Sequence, residues 1–211
     1  KEDCFAGVID LLELKAITFD EASSGKELKI QAVPSELAAA AEKARAELAE
    51  KVAEKDETVL QSYLQSPDVP ADVLRAGIRR LTLANDLVPV LCGTSLRNKG
   101  VQTLLDAVVD YLPSPLEVKP IEGMRPGTTD KITREPDDFG LTTALIFKLV
   151  NDPYVGQMAF VRVYSGRVKK GQNVFNPRTR KRQRISRLLR IHADSGTDVE
   201  AIYSGEIGAV S

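Results

Sequence analysis

Tryptophan is absent, histidine occurs once and cysteine twice in these 211 residues. Cys4 and Cys92 lie far apart, and no C-x-x-C pair exists. That excludes a disulfide framework and a cysteine zinc site. His192 has no partner at a metal or triad spacing and reads as a surface histidine beside an Arg-rich strand. No window approaches the roughly 18 uncharged apolar residues of a membrane span. The opening Lys1-Glu2-Asp3-Cys4 has neither an initiator Met nor an apolar signal region. A Gly-x-x-x-x-Gly-Lys-[Ser/Thr] phosphate loop is missing, as is Gly-x-Gly-x-x-Gly, and no Ser/His/Asp or Cys/His pairing has support.

What is present is an ordinary globular composition, 43% hydrophobic and 28% charged, with a formal net charge of -1. That total conceals a division. Residues 1–121 hold 14 Lys+Arg against 20 Asp+Glu, whereas residues 122–211 hold 15 against 10. An acidic first part and a basic second part point to two domains with different partners.

The pattern along the chain agrees. Phe5–Leu12 reads as a short buried strand, Leu14–Phe19 as a half-exposed one, and Leu28–Ile30 as a third. A helix follows with Ser35 as N-cap and a stripe of Leu37, Ala41, Ala44, Leu48 and Val52. Two more helices are predicted, Asp56–Gln65 and Ala71–Ala84. Leu87–Cys92 reads as a fully buried strand. A helix carrying Val101, Leu104, Leu105, Val108, Val109 and Leu112 completes half of a βαβ unit. Pro113–Asp138, rich in Pro, Gly and Thr, is the linker candidate. Beyond it, Leu141–Val150, Met158–Tyr164, Arg184–Ile191 and Glu206–Val210 alternate as strands between Gly-bearing turns. No helix intervenes, so a small β-barrel is expected. Because Ser211 falls inside the last strand pattern, the chain is expected to be an interior piece of a longer protein.

Two stretches carry chemistry. Gly93–Gly100 follows a strand and precedes a helix, where α/β sheets bind ligands. It is either a base-edge site or a structural connection. Arg178, Arg180, Lys181, Arg182, Arg184, Arg187 and Arg190 put seven cations in thirteen residues with no acid among them. They form either an electrostatic footprint for phosphate backbones or a solvated, edge-protecting hairpin. Strand register places Arg182 and Arg184 on one face, and Arg187 on the other unless a bulge intervenes. Two further matches fail. Asp137-Asp138-Phe139-Gly140 fits a loose D-x-x-G but reads as a turn. Asn98-Lys99-Gly100-Val101 lacks the Asp that a guanine-reading N-K-x-D requires.

Together these strings resemble bacterial-type translation elongation factor G. The resemblance rests on Val88–Gln102, Leu104–Pro115, Asp152–Gly156, Arg162–Gly166, Arg187–Ala193 and Tyr203–Val210, with Gly7–Leu11 similar to the entry of the family's G-domain insert. It implies three parts: residues 1–84 as the α+β G-prime insert with flanking G domain, 85–121 as the closing α/β strand and helix of a P-loop GTPase domain, and 122–211 as the domain II β-barrel. It implies that Thr94, Ser95 and Leu96 form the fifth guanine-nucleotide motif. The family usually has Ser-Ala at the first two of these positions; here Thr94 keeps the hydroxyl.

The other four nucleotide motifs are expected upstream of Lys1. GTP or GDP with Mg would then belong to the full-length protein, with no catalytic residue, metal or bound cofactor in this chain. The resemblance further implies a cytoplasmic, monomeric piece that contacts small-subunit rRNA through the seven cations of domain II and the ribosomal stalk protein through the insert, without DNA or membrane. Two alternatives stand: a related ribosome-associated GTPase of the ribosomal-protection or release-factor type, or a stand-alone RNA-binding barrel module.

Overall fold

A computed structural model describes residues 5–152, 156–193 and 195–211. Cys4 and the Pro153-Tyr154-Val155 part of one resembling string lie outside them. The chain divides into two compact units, Lys1–Pro113 and Ser114–Ser211.

The first unit opens with an antiparallel meander: β1 (Gly7–Asp10), β2 (Lys15–Phe19) and β3 (Leu28–Ala32). Only β2 is well covered, through Ala16, Ile17 and Phe19. Four helices follow: α1 (Ser35–Ala53), α2 (Glu57–Gln65), α3 (Ala71–Leu83) and α4 (Val101–Tyr111). Ser35 does not cap α1. Pro34 occupies the cap without a side-chain bond, and Ser35 is the first helical residue. The predicted α1 stripe holds at Ala41 and Val52, but Leu37 stays 44% exposed, while Ala49 and Ala53 join the core.

That core is Val52, Val59, Val69, Leu74, Ile78 and Leu81, closed by Ala107 and Tyr111 of α4. Burying a side chain such as Leu74, fully enclosed here, contributes about 2–3 kcal/mol. Gly77 on α3 faces Val59 and Val52 so closely that a Cβ there would collide with the Val59 side chain. A glycine that would ordinarily weaken a helix is thus what lets α3 approach. Asp56 fastens the same region. Its Oδ1 accepts from the Val59 amide at 3.0 Å, capping α2, and its carboxylate takes a two-pronged bond from Arg80 at 2.7 and 2.8 Å.

Two predictions fail here. Leu87–Cys92 forms no strand and pairs with nothing among the described residues, with Val88 80% and Val90 88% exposed. A strand needs at least one hydrogen-bonded neighbour, and the unit's one described sheet is the meander, which does not include this segment. On α4, the predicted stripe of Leu104, Leu105, Val108, Val109 and Leu112 faces outward, while Ala107 and Tyr111 turn inward. Among the described residues the helix packs chiefly against α3, so its narrower face is used.

In the second unit the expected linker contains a hairpin, β4 (Ile121–Met124) with β5 (Lys131–Arg134). Then come β6 (Thr143–Asp152), β7 (Gly156–Ser165), β8 (Val168–Lys169), β9 (Asn173–Asn176), β10 (Lys181–Arg184), β11 (Leu188–His192), β12 (Ser195–Asp198), β13 (Ala201–Ile202) and β14 (Ile207–Val210). The main sheet is antiparallel in the order β12-β11-β14-β7-β6. β8–β13 and β9–β10 are separate two-stranded ribbons.

The barrel expectation is met only in part. The unit is β-rich throughout, but among the described residues no ladder closes the sheet, and β6 and β12 remain edges. The predicted strand Arg184–Ile191 is split. Ile185 turns inward, its backbone bonding Gln172 and Gly171, and joins Val163, Val168, Leu188 and Ile202 in the core. Asp137–Gly140 is a turn, with the Phe139 amide on Asp137 Oδ1 at 2.9 Å.

Candidate nucleic-acid interface

The Gly93–Gly100 loop is tightly made. Thr94 and Lys99 exchange backbone bonds at 2.8 and 3.1 Å, and Ser95–Arg97 forms one 3-10 turn between them. Asn98 and Gly100 take positive φ, 52° and 87°, which bends the chain into α4. Lys99 is buried, 5% exposed, and its ammonium donates to the Phe5 carbonyl at 3.1 Å and to Glu21 at 2.8 Å. That bond and charge hold the Glu21 carboxyl below its usual range. Asn98 donates to the Ser24 carbonyl and Gln102 to those of Gly25 and Lys26. The loop is therefore stapled to the β2–β3 turn. Ser95 and Leu96 project from it, Leu96 being 96% exposed, and Thr94 is half-buried. Lys99 serves the fold, in keeping with the missing N-K-x-D aspartate.

The seven cations of the second unit separate into two groups. Arg187 forks onto Asp198, with Nε and Nη2 each at 2.8 Å, and Arg190 meets Glu206 at 2.8 Å. The Arg187 pair raises the guanidinium's pKa and lowers the carboxyl's. Asp198 and Glu206 lie 11 and 16 residues downstream of their partners, so sequence adjacency hides this neutralisation.

Arg178, Arg180, Lys181, Arg182 and Arg184 are all exposed, and none of their side chains has an ion pair or hydrogen bond among the described residues. They lie on the β9–β10 hairpin, whose register pairs Arg182 with Phe175 and Arg184 with Asn173. Opposed residues share a face, so Asn173, Phe175, Arg182 and Arg184 form one side, as predicted for the two arginines. Val174 and Gln183 belong to the other, where Val174 packs on the core. Arg180, at φ 55°, and Arg178 occupy the connecting turn, and the Asn176 side chain accepts from the Arg178 and Thr179 amides. A core-anchored hairpin thus presents a cationic, uncompensated outer side, the arrangement that attracts a polyanionic backbone. Phe175 is the residue the sequence reading missed. It is 51% exposed between the arginines, and its signal was the Val-Phe pair before Asn176-Pro177.

No group of His, Cys, Asp and Glu among the described residues could hold a metal ion. No described helix is long and apolar enough to cross a membrane. Comparison with known proteins shows what the second unit is similar to. Residues 142–211, which hold the hairpin, match the model of elongation factor G domain 2, a translation-factor domain. The chain also aligns with a crystal structure of a Thermus thermophilus protein at 27% identity and a TM-score of 0.70, covering 97% of this chain and 27% of that one. The chain is thus similar, over residues 142–211, to a translation-factor domain of the elongation factor G type. It spans about a quarter of the length of that solved structure.

Proposed function

We propose that this chain is the G-prime insert, the closing strand and helix of the G domain, and the domain II barrel of a longer elongation-factor-G-like GTPase. The whole protein would couple GTP hydrolysis to movement of tRNA and mRNA through the ribosome in the cytoplasm. The observation carrying the ribosomal reading is the set of five uncompensated cations on a core-anchored hairpin inside the domain 2 match. Their partner is small-subunit rRNA. The acidic first unit, through its insert, would face the stalk protein.

The exposed Val88 and Val90 and the outward stripe of α4 support a G-domain assignment for 85–121, since a parallel sheet would cover both. Thr94 would then offer its hydroxyl, and Ser95 and Leu96 their backbone amides, to the guanine base. The phosphate cradle and the Mg ligands would come from outside this sequence.

Replacing Arg182 and Arg184 by Ala tests the RNA reading. The log–log salt slope of RNA binding should fall by roughly 0.7–0.9 per lost phosphate contact. An unchanged slope would make the hairpin a solvated edge.

A further inference from the structure

The outer side of the β9–β10 hairpin holds more than charge. Phe175 stands directly across the ladder from Arg182, with Arg184 two residues further along the same side. Phe175 is about half exposed. Among the described residues cations stack over Phe160, Tyr164 and Phe139, but none lies over Phe175. Its neighbour Val174 is fixed in the core beside Ile185, so the ring is presented by a held strand rather than a loose tip. A half-exposed apolar ring gains nothing from water, and a solvated edge would be better served by a polar residue. Duplex RNA offers such a ring no face to stack on, because its bases are already stacked and its accessible minor groove shows only 2′-hydroxyls and base edges. An unpaired base does offer one, and flanking guanidinium groups can hold the phosphates on either side.

We infer that this side of the hairpin takes an unpaired RNA nucleotide, its base stacked on Phe175 and the adjoining phosphates held by Arg182 and Arg184. The inference rests on the RNA-binding reading above and narrows its ligand from RNA in general to a single-stranded or bulged segment.

The test compares the full chain with its Phe175→Ala and Phe175→Tyr variants. Each binds a labelled oligouridylate of about 12 nucleotides, within the usual site size of such surfaces, and a duplex of equal length at the same salt. Phe175→Ala should weaken single-strand binding roughly 5- to 100-fold and leave duplex binding unchanged, while Phe175→Tyr, which keeps a ring, restores it. The Tyr variant also guards against a folding defect. Equal losses on both RNAs, or no loss on the single strand, overturn the inference, as does polyglutamate binding as tightly as the oligouridylate. Arginine-dependent RNA binding that ignores Phe175 sinks only this inference. Absence of any RNA binding sinks the RNA reading as well.

Discussion

Replacing Asp56 by Ala destabilises the chain by about 2–4 kcal/mol, combining a lost helix cap with a lost charge-assisted bond. Asp56 is 7% exposed and serves two partners at once, the Val59 amide and the Arg80 fork. Asp56→Asn separates the roles. Asn caps a helix as well as Asp does, so it retains the first and loses only the charged second. It should cost about half as much as Ala, in the range of one bond to a charged group, about 1.5–2 kcal/mol.

The effect carries a pH signature. The Arg80 bond, assisted by the Val59 amide, holds the Asp56 carboxyl below its ordinary range. A carboxyl whose folded pKa is depressed contributes stability above its unfolded pKa and loses it as pH falls through the folded value. The gap between wild type and Asp56→Asn should therefore be full near neutral pH and shrink once the solution is more acidic than the ordinary Asp range. Urea unfolding at several pH values measures it. A gap that does not change with pH would mean that the Arg80 pair contributes nothing.

Replacing Leu188 by Ala should cost about 2–5 kcal/mol, the range for a fully enclosed Leu whose cavity cannot collapse. Leu188 is wholly buried among Val163, Val168, Ile185 and Ile202, and its carbonyl accepts from the Val199 amide. Val174, within β9 of the basic hairpin, packs on the same cluster, and Ile185, directly after β10, belongs to it. The cavity thus lies under the platform that aims Phe175 and the arginines. Leu188→Met, which fills most of the volume, should cost less than about 1.5 kcal/mol. If Ala proves as mild as Met in urea unfolding, this core is not what fixes the hairpin.

Most of the helices, and strands such as β7, could be read from periodicity because each buries one face against a neighbour within its own unit. The reading failed where that condition failed. Leu87–Cys92 and the outer stripe of α4 have the composition of buried elements, yet no described segment of their unit covers them. Composition records that burial is required without saying what supplies it. Short pieces such as β8, β12 and β13 carry too few residues for alternation to show. For the hairpin, the shared face of Arg182 and Arg184 followed from the two-residue period. The pairing with Phe175 depended on a four-residue turn, and the loss of Arg187 and Arg190 to Asp198 and Glu206 depended on tertiary contacts.

We propose the five uncompensated hairpin cations as the RNA-facing surface of a ribosomal factor. The most direct measurement is binding of the chain to isolated small ribosomal subunits as a function of salt, with Arg178, Arg180, Lys181, Arg182 and Arg184 all replaced by Gln. Wild type should bind with a steep negative salt slope, and the variant should lose roughly 0.7–0.9 of slope for each cation that meets a phosphate. A parallel variant at Arg187 and Arg190 should change the slope little, since both are held by acids. Equal slopes for wild type and the five-fold variant would contradict the account.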